Sequence, residues 1–209
     1  MSNKNVTRNF EIRAADGEEF CLVGRAIAYG EISSSELMQG YRERIMAGAF
    51  RASLASGRDV KALFNHDQGV LPLGRLANGT LVLTDSDEGL DMRVQLDRGN
   101  RQHRDVYASV KRRDVSEMSF GFIAEDDDLS EDSYQGVRCK VRNVRKAQLL
   151  DVSIVCTPFY GQGATAVSAR AANEGLDIDA ANRAQLDTYH RTRAAELGKL
   201  VAADKERAI

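Results

Sequence analysis

The sequence predicts an α+β fold, a mainly antiparallel β-barrel of about seven strands with peripheral helices, followed by a helical tail at the C-terminus. Two observations lead to this prediction. Short β segments, some with alternating polar and apolar residues and others largely apolar, fill the first two thirds of the chain and are separated by turn signals. From residue 169 onward, alanine is abundant and strand-forming residues disappear.

The clearest predicted strand spans residues 90–96, where apolar side chains alternate with Asp91, Arg93 and Gln95. Such alternation gives one dry and one solvated face, as in a half-buried antiparallel strand. Residues 137–141 repeat the pattern. The other predicted strands span residues 20–28, 60–65, 80–84, 118–124 and 151–156.

Two helices are predicted between these strands. The first begins at Ser35, a suitable capping residue, and ends near Gly48, with apolar residues at helical spacing between them. The second runs from near Arg104 to Arg112. Residues 125–132 hold six acids in eight positions, and we expect their mutual repulsion to favour a solvated loop.

The chain is expected to divide into a folded domain, residues 1–168, and a bridge with a helical tail, residues 169–209. Residues 160–170 consist mostly of Gly, Ala, Ser and Thr, so we expect an extended, flexible segment that is open to proteolysis.

Composition and charge narrow the function classes. The 29 Lys and Arg balance 31 Asp and Glu, so there is no global basic field for nucleic acid. The three cysteines are odd in number and widely spaced, which fits neither a disulfide framework nor a zinc site and favours reduced thiols in a cytosolic compartment. Neither a signal peptide nor a membrane span is expected, because no apolar run is long enough.

His66 is the first candidate for chemistry, since the chain has only three histidines. It follows the apolar strand 60–64 at the point where that strand meets a turn. A strand end holds an imidazole firmly while the loop leaves it reachable, as a general base requires. The alternative is a turn histidine that is bonded only to Asp67.

Ser119 is the second candidate. On a strand it shares a face with Gly121, so its hydroxyl emerges beside a residue without a side chain. We expect Gly121 to open space there for a substrate backbone. The segment is not the G-x-S-x-G elbow of α/β hydrolases. The alternative is a small residue packed under a loop.

Asp151 is the third candidate, at the head of a strand where it shares a face with Ser153 and Val155. A carboxylate there can accept an imidazole N–H, fix the tautomer and stabilise the imidazolium. The alternative is a solvated acid at a strand start.

Four motifs occur in a fixed order along residues 10–168. They are Gly48-Ala49-Phe50, then Phe64-Asn65-His66-Asp67 with Leu73-Gly74-Arg75, then Met118-Ser119-Phe120-Gly121-Phe122, then Leu150-Asp151-Val152-Ser153-Ile154-Val155 before Pro158. Together these motifs resemble the prohead serine proteases of tailed phages. That family is similar in fold to the herpesvirus assembly protease, a β-barrel with peripheral helices.

The resemblance implies that Ser119 is the acyl-forming nucleophile, His66 the general base and Asp151 the orienting third member. The family often has Glu at this third position, and Asp is one methylene shorter. The chain also departs from the family pattern at 112–114 and at 159–160, where glycine and small residues respectively are common.

The herpesvirus relatives use a second histidine as third member, but His103 lies in a predicted polar loop and His190 in the tail, so neither fits well. Backbone N–H groups, Arg142 or Arg145 are open alternatives for the oxyanion hole, because nothing in the sequence aims them.

The resemblance further implies an endopeptidase without metal or organic cofactor. Its partners would be the major capsid protein with its scaffolding segment and the chain itself, cut inside the immature capsid in the bacterial host cytoplasm, with a homo-oligomer as an open possibility. Self-cleavage in residues 160–170 would release the tail.

Three other classes stay open. A non-enzymatic assembly factor would bind capsid or scaffold protein and keep the motif for packing only. A cysteine hydrolase is disfavoured because Cys156 falls on the predicted core face. A local nucleic-acid contact through residues 111–113 competes with a simple solvated helix face.

Overall fold

The computed structural model describes residues 19–37 and 40–157, and the backbone of residues 166–170. Two helices lie in this part of the chain, α1 (Arg51–Ala55) and α2 (Arg101–Arg112), with a short 3₁₀ turn at Leu76–Asn78. The strands are β1 (Cys21–Ala28), β2 (Arg42–Ile45), β3 (Lys61–Phe64), β4 (Gly74–Arg75), β5 (Leu81–Asp85), β6 (Gly89–Gln95), β7 (Glu117–Tyr134), β8 (Val137–Val155) and β9 (Ala166–Arg170).

The strands form two sheets. The first is antiparallel, in the order β5-β6-β1-β9. The second is organised around the long strand β8, which pairs antiparallel with β7 along one edge. Along its other edge β8 pairs in parallel first with β2 and then with β3, and β4 follows β3.

The prediction of a sheet-rich chain with few helices is confirmed, but the predicted barrel is not confirmed. Over residues 19–37, 40–157 and 166–170, no ladder of hydrogen bonds closes the two sheets into a barrel. The second sheet is also mixed rather than antiparallel. Alternating polarity tells which face of a strand is buried, but it does not tell which strand lies beside it, so closure was not determined by the pattern.

One apolar core joins the two sheets and the inner face of α2. Phe50 is fully buried at its centre and packs edge-on against Phe120 and Phe122 of β7, with ring centroids 5.9 and 6.0 Å away. Met118 and Phe120, on the core side of β7, are buried as the alternation predicted. The face of β7 that carries Ser119 therefore points away from the main core.

The first predicted helix is wrong. Ile32 pairs with Arg44, the backbone N–H of Ser33 donates to Glu43, and β2 occupies the end of the segment. Glu43 and Ile45 are buried while their neighbours are less so, a period of two that outweighs the helical spacing of the apolar residues.

The second predicted helix is confirmed as α2. Its N-cap is Asn100, whose side-chain oxygen accepts hydrogen bonds from the backbone N–H groups of Gln102 and His103.

The acidic segment 125–132 is not a loop but part of β7, which corrects the prediction. The neighbouring strand β8 supplies the compensating charges. Arg145 contacts Asp126 and Asp128, Lys146 contacts Glu125, and Arg142 contacts Asp127. Mutual repulsion along β7 is offset by attraction across the ladder, which the sequence of one strand does not reveal.

Residues 166–170, the last part of the predicted flexible bridge, form the edge strand β9 and pair with β1. The predicted helical tail lies outside the described residues, and the boundary at residue 168 stays a prediction. No helix among the described residues is long and apolar enough to cross a membrane.

Candidate active site

His66 lies in a tight turn at the end of β3. Asn65 and His66 both have positive φ, 52° and 57°, and the carbonyl of Phe64 accepts a hydrogen bond from the backbone N–H of Asp67. Two consecutive residues with positive φ at the centre of a turn define the type I′ geometry, which is uncommon for residues other than glycine. Such strain persists only where the surroundings enforce it.

Asn65 makes the hydrogen bonds that hold this turn in place. Its backbone N–H donates to the carbonyl of Ile154 at 2.8 Å, and its side-chain oxygen accepts from the backbone N–H of Cys156 at 3.0 Å. Both the backbone and the side chain of Asn65 therefore attach the turn to the end of β8. Sequence reasoning did not single out Asn65, although it precedes the histidine within the same motif.

His66 contacts Asp151 directly. The distance between His66 Nδ1 and Asp151 Oδ1 is 2.7 Å. The side chain of Asp151 is 7% exposed and that of His66 is 38% exposed. A carboxylate can only accept, so the proton of the neutral imidazole lies on Nδ1 and the lone pair of Nε2 is left available. The shorter side chain of Asp, compared with Glu, does reach the histidine.

Ser153 and Gly121 surround the Asp151 carboxylate. The hydroxyl of Ser153, which is fully buried, donates to Asp151 Oδ1 at 2.7 Å. Gly121 lies opposite Asp151 in the β7–β8 ladder, and a Cβ at that position would collide with Asp151 Oδ2. The expected free space beside Gly121 is thus occupied by the carboxylate, which corrects the idea that it admits a substrate backbone.

Ser119 lies directly opposite Ser153 in the same ladder. Side chains of opposite residues share a face, with Cβ atoms about 5 Å apart. Ser119 is half-buried, and among the described residues its hydroxyl has no hydrogen-bond partner. The structure therefore brings His66 and Asp151 into contact and places Ser119 on the same face, without a hydrogen bond between Ser119 and His66.

His103 has another role. It is buried at the start of α2, where its Nδ1 accepts the backbone N–H of Asp97 at 2.9 Å and its Nε2 lies 3.3 Å from the carbonyl oxygen of Pro72. Both ring nitrogens are engaged by the backbone, so His103 is not available as a third member beside Asp151. His190 lies outside the described residues.

The two arginines considered for the oxyanion hole are placed elsewhere. Arg145 is eight residues from Ser153, about 26 Å along β8, and Arg142 is farther still. Acids pair with both side chains and raise their pKa. Neither side chain can reach a carbonyl at Ser119 from there, so the structure does not support these two alternatives.

Cys156 is exposed rather than on a core face, because β8 ends at Val155. Its Sγ lies 3.7 Å from the side-chain nitrogen of Asn65. The imidazole of His66 contacts Asp151, which shares a sheet face with Ser119. No group of three or more metal-binding side chains occurs in the part of the chain that the structure describes.

Hydrolases that act by acyl transfer combine a serine, a histidine and a carboxylate, and the structure places these three residue types close to one sheet face. The model of the caudovirus prohead serine protease family matches residues 8–177. The chain therefore belongs to this family.

A relative within the known proteins is the prohead protease of Enterobacteria phage HK97. It is 32% identical over 114 residues, which are 54% of this chain and 46% of that protein. The matched segment thus spans about half the length of this relative. No solved structure gives a significant match.

Proposed function

We propose that this chain is a serine endopeptidase in which Ser119 is the nucleophile, His66 the general base and Asp151 the carboxylate that orients the base. The observation that carries the proposal is the 2.7 Å contact between His66 Nδ1 and Asp151 Oδ1, on the sheet face shared with Ser119. A buried carboxylate that fixes the Nδ1–H tautomer leaves Nε2 as a proton acceptor.

In the first step, Ser119 Oγ attacks the carbonyl carbon of the scissile bond while His66 Nε2 takes its proton. Asp151 stabilises the resulting imidazolium, which then gives the proton to the leaving amine. Water, deprotonated by His66, hydrolyses the acyl-enzyme and releases Ser119. Free enzymes often have long contacts between nucleophile and base that tighten when substrate binds.

The proposed substrates are the scaffolding segment of the major capsid protein and the chain itself, cut inside the immature capsid in the host cytoplasm. Membership in the prohead protease family and the name of the HK97 relative support this choice. Self-cleavage is proposed within residues 160–170. A cut inside Ala166–Arg170 requires β9 to separate from β1 first, because the two strands are paired.

The test is co-expression of the chain with the major capsid protein of the same genome, followed by intact-mass analysis of both proteins. We expect fragments with the wild type and none with Ser119→Ala. Ser133→Ala is the matched control, since Ser133 is an exposed serine on the same strand. It should cleave like the wild type.

Identical fragments from the wild type and Ser119→Ala would refute Ser119 as the nucleophile. Intact masses in all three samples, together with normal capsid assembly, would favour the non-enzymatic assembly factor instead.

A further inference from the structure

We propose that Ser153 is a positioning residue, whose buried hydroxyl acts with the bare backbone of Gly121 to hold the Asp151 carboxylate against His66. The inference deepens the proposed function and rests on it, because it assigns residues that support the base without touching substrate.

The orientation of an aspartate carboxylate is not fixed by the side chain alone. Rotation of its carboxylate about the terminal bond meets only a broad, shallow energy profile, so the direction of each oxygen depends on outside contacts. Asp151 has contacts on both oxygens. Ser153 Oγ and His66 Nδ1 both lie 2.7 Å from Oδ1, and Gly121 lies against Oδ2.

Ser153 can serve no other role in the reaction. It is fully buried, so it neither meets substrate nor competes with Ser119 as a nucleophile. Its single proton is donated to Asp151, two residues earlier on the same face of β8. A hydrogen bond from a neutral donor to a buried carboxylate is among the stronger ones in proteins.

Gly121 acts from the neighbouring strand. It lies opposite Asp151, and any Cβ there would push Oδ2 away from its present position. The carboxylate therefore occupies a site that is closed by a donor on one side and by the β7 backbone on the other. This arrangement explains physically why a glycine suits a position two residues after the serine.

The experiment reads the tautomer of His66 by nitrogen-15 NMR of histidine-labelled protein, at a pH where the imidazole is neutral. All samples carry Ser119→Ala, so that self-cleavage cannot complicate them. We expect the parent to show His66 almost entirely as the Nδ1–H form. With Ser153→Ala or Gly121→Ala, we expect a mixture of both tautomers, approaching that of an Asp151→Ala reference.

Three controls separate positioning from general loss of structure. Ser33→Ala removes an equally buried hydroxyl that bonds the backbone of Ser35 and Glu43, and it should leave the His66 tautomer unchanged. His103, whose Nδ1 accepts a backbone N–H, is an internal reference that should keep the Nε2–H form in every folded sample. Ser153→Thr retains the hydroxyl and should restore the parent spectrum.

With Ser119 restored, we expect Ser153→Ala to slow capsid-protein cleavage roughly tenfold, the size expected for one hydrogen bond to a charged group. The slowing should reside in kcat and not in KM, since Ser153 is inaccessible to substrate.

A Ser153→Ala variant that keeps the Nδ1–H tautomer and the full cleavage rate would overturn the proposal. The NMR result does not depend on activity, so a failure of the proposed protease function would show separately, as fragments that persist with Ser119→Ala.

Discussion

The two halves of the β7–β8 pair use charge in opposite ways. In the half that contains Ser119, the facing segment Asp151–Val155 is buried throughout, and its one charge is held by two hydrogen-bond donors. In the other half, here called the arm (Asp126–Tyr134 with Val137–Lys146), most of β7 is exposed and charges pair across the strands.

The difference shows that charged groups have two roles in this ladder: the buried carboxylate orients a side chain, whereas the exposed ion pairs keep the surface solvated. A buried carboxylate that loses its partners keeps the cost of desolvation without compensation, so its contacts fix geometry strongly. Exposed ion pairs add little to the free energy of unfolding, because water screens the charges and the long side chains lose conformational freedom when they pair. One ladder thus carries a rigid site at one end and a charged, paired surface at the other.

Asp151→Asn is expected to have the largest effect. An amide can donate to Nδ1 and thereby favour the wrong tautomer, which leaves no lone pair on Nε2 toward Ser119. We expect the rate of capsid-protein cleavage to fall by about 10⁴, as in a serine triad whose Asp becomes Asn. The measurement is single-turnover cleavage followed by mass spectrometry.

Asp127→Asn is the control from the arm, where Asp127 contacts the side chain of Arg142. It removes an equal charge from the same pair of strands, and cleavage should be unchanged. Equal losses from both variants would show that overall charge, and not the buried contact with His66, sets the rate.

Phe50→Ala is expected to have the next largest effect, on stability. Phe50 is fully buried beneath the site half of β7, against Phe120 and Phe122. Truncation of a buried Phe costs about 3–5 kcal/mol, through lost transfer free energy and the cavity that remains. Urea denaturation followed by circular dichroism measures the change.

Leu129→Ala is the matched apolar truncation in the arm, where Leu129 is 60% exposed. It should change the free energy of unfolding by less than about 0.5 kcal/mol. If both variants were equally destabilised, the β7 side of the arm would contribute to the core rather than to the solvated surface.

The sequence predicted individual strands better than it predicted their neighbours. Residues 90–96 alternate in polarity and residues 20–28 are largely apolar, and the two segments coincide closely with β6 and β1. The acidic run 125–132 was misjudged, because its repulsion is relieved by Arg142, Arg145 and Lys146 from another strand. The predicted closure of the sheets into a barrel was not confirmed for the same reason, since pairing between distant segments leaves no local pattern.

At the site, local spacing predicted which residues share a face but not what fills the space between them. The contact of His66 with Asp151 was expected, and the structure has it at 2.7 Å. The sequence indicated that Gly121 lies on the face of Ser119, but the space beside Gly121 is filled by the carboxylate of Asp151 from β8. Ser153 bonds Asp151, two residues away in the chain, so this contact could have been anticipated from the strand alternation. Asn65 bonds Cys156, 91 residues away, and this contact could be found only from the folded structure.

The smallest expected effect is electrostatic and belongs to the arm. The hydrogen bond from Arg145 holds the pKa of Asp126 below its ordinary value of 3.8. A carboxyl whose pKa is lower in the folded state adds stability above its unfolded pKa and loses it as the pH falls through the folded value. Arg145→Ala should therefore return the pKa of Asp126 toward its ordinary value, as carbon-13 NMR of the carboxyl groups measures.

The accompanying loss of stability should be small at neutral pH, absent at a pH where Asp126 and Asp128, the two acids that pair with Arg145, are protonated in both states, and erased by about 1 M salt. Both side chains are about half exposed, so screening acts on them fully. A large loss that persists in high salt would mean that the arm ion pairs act as the buried contacts of Asp151 do. The two halves of the ladder would then differ only in exposure, not in how their charges stabilise the fold.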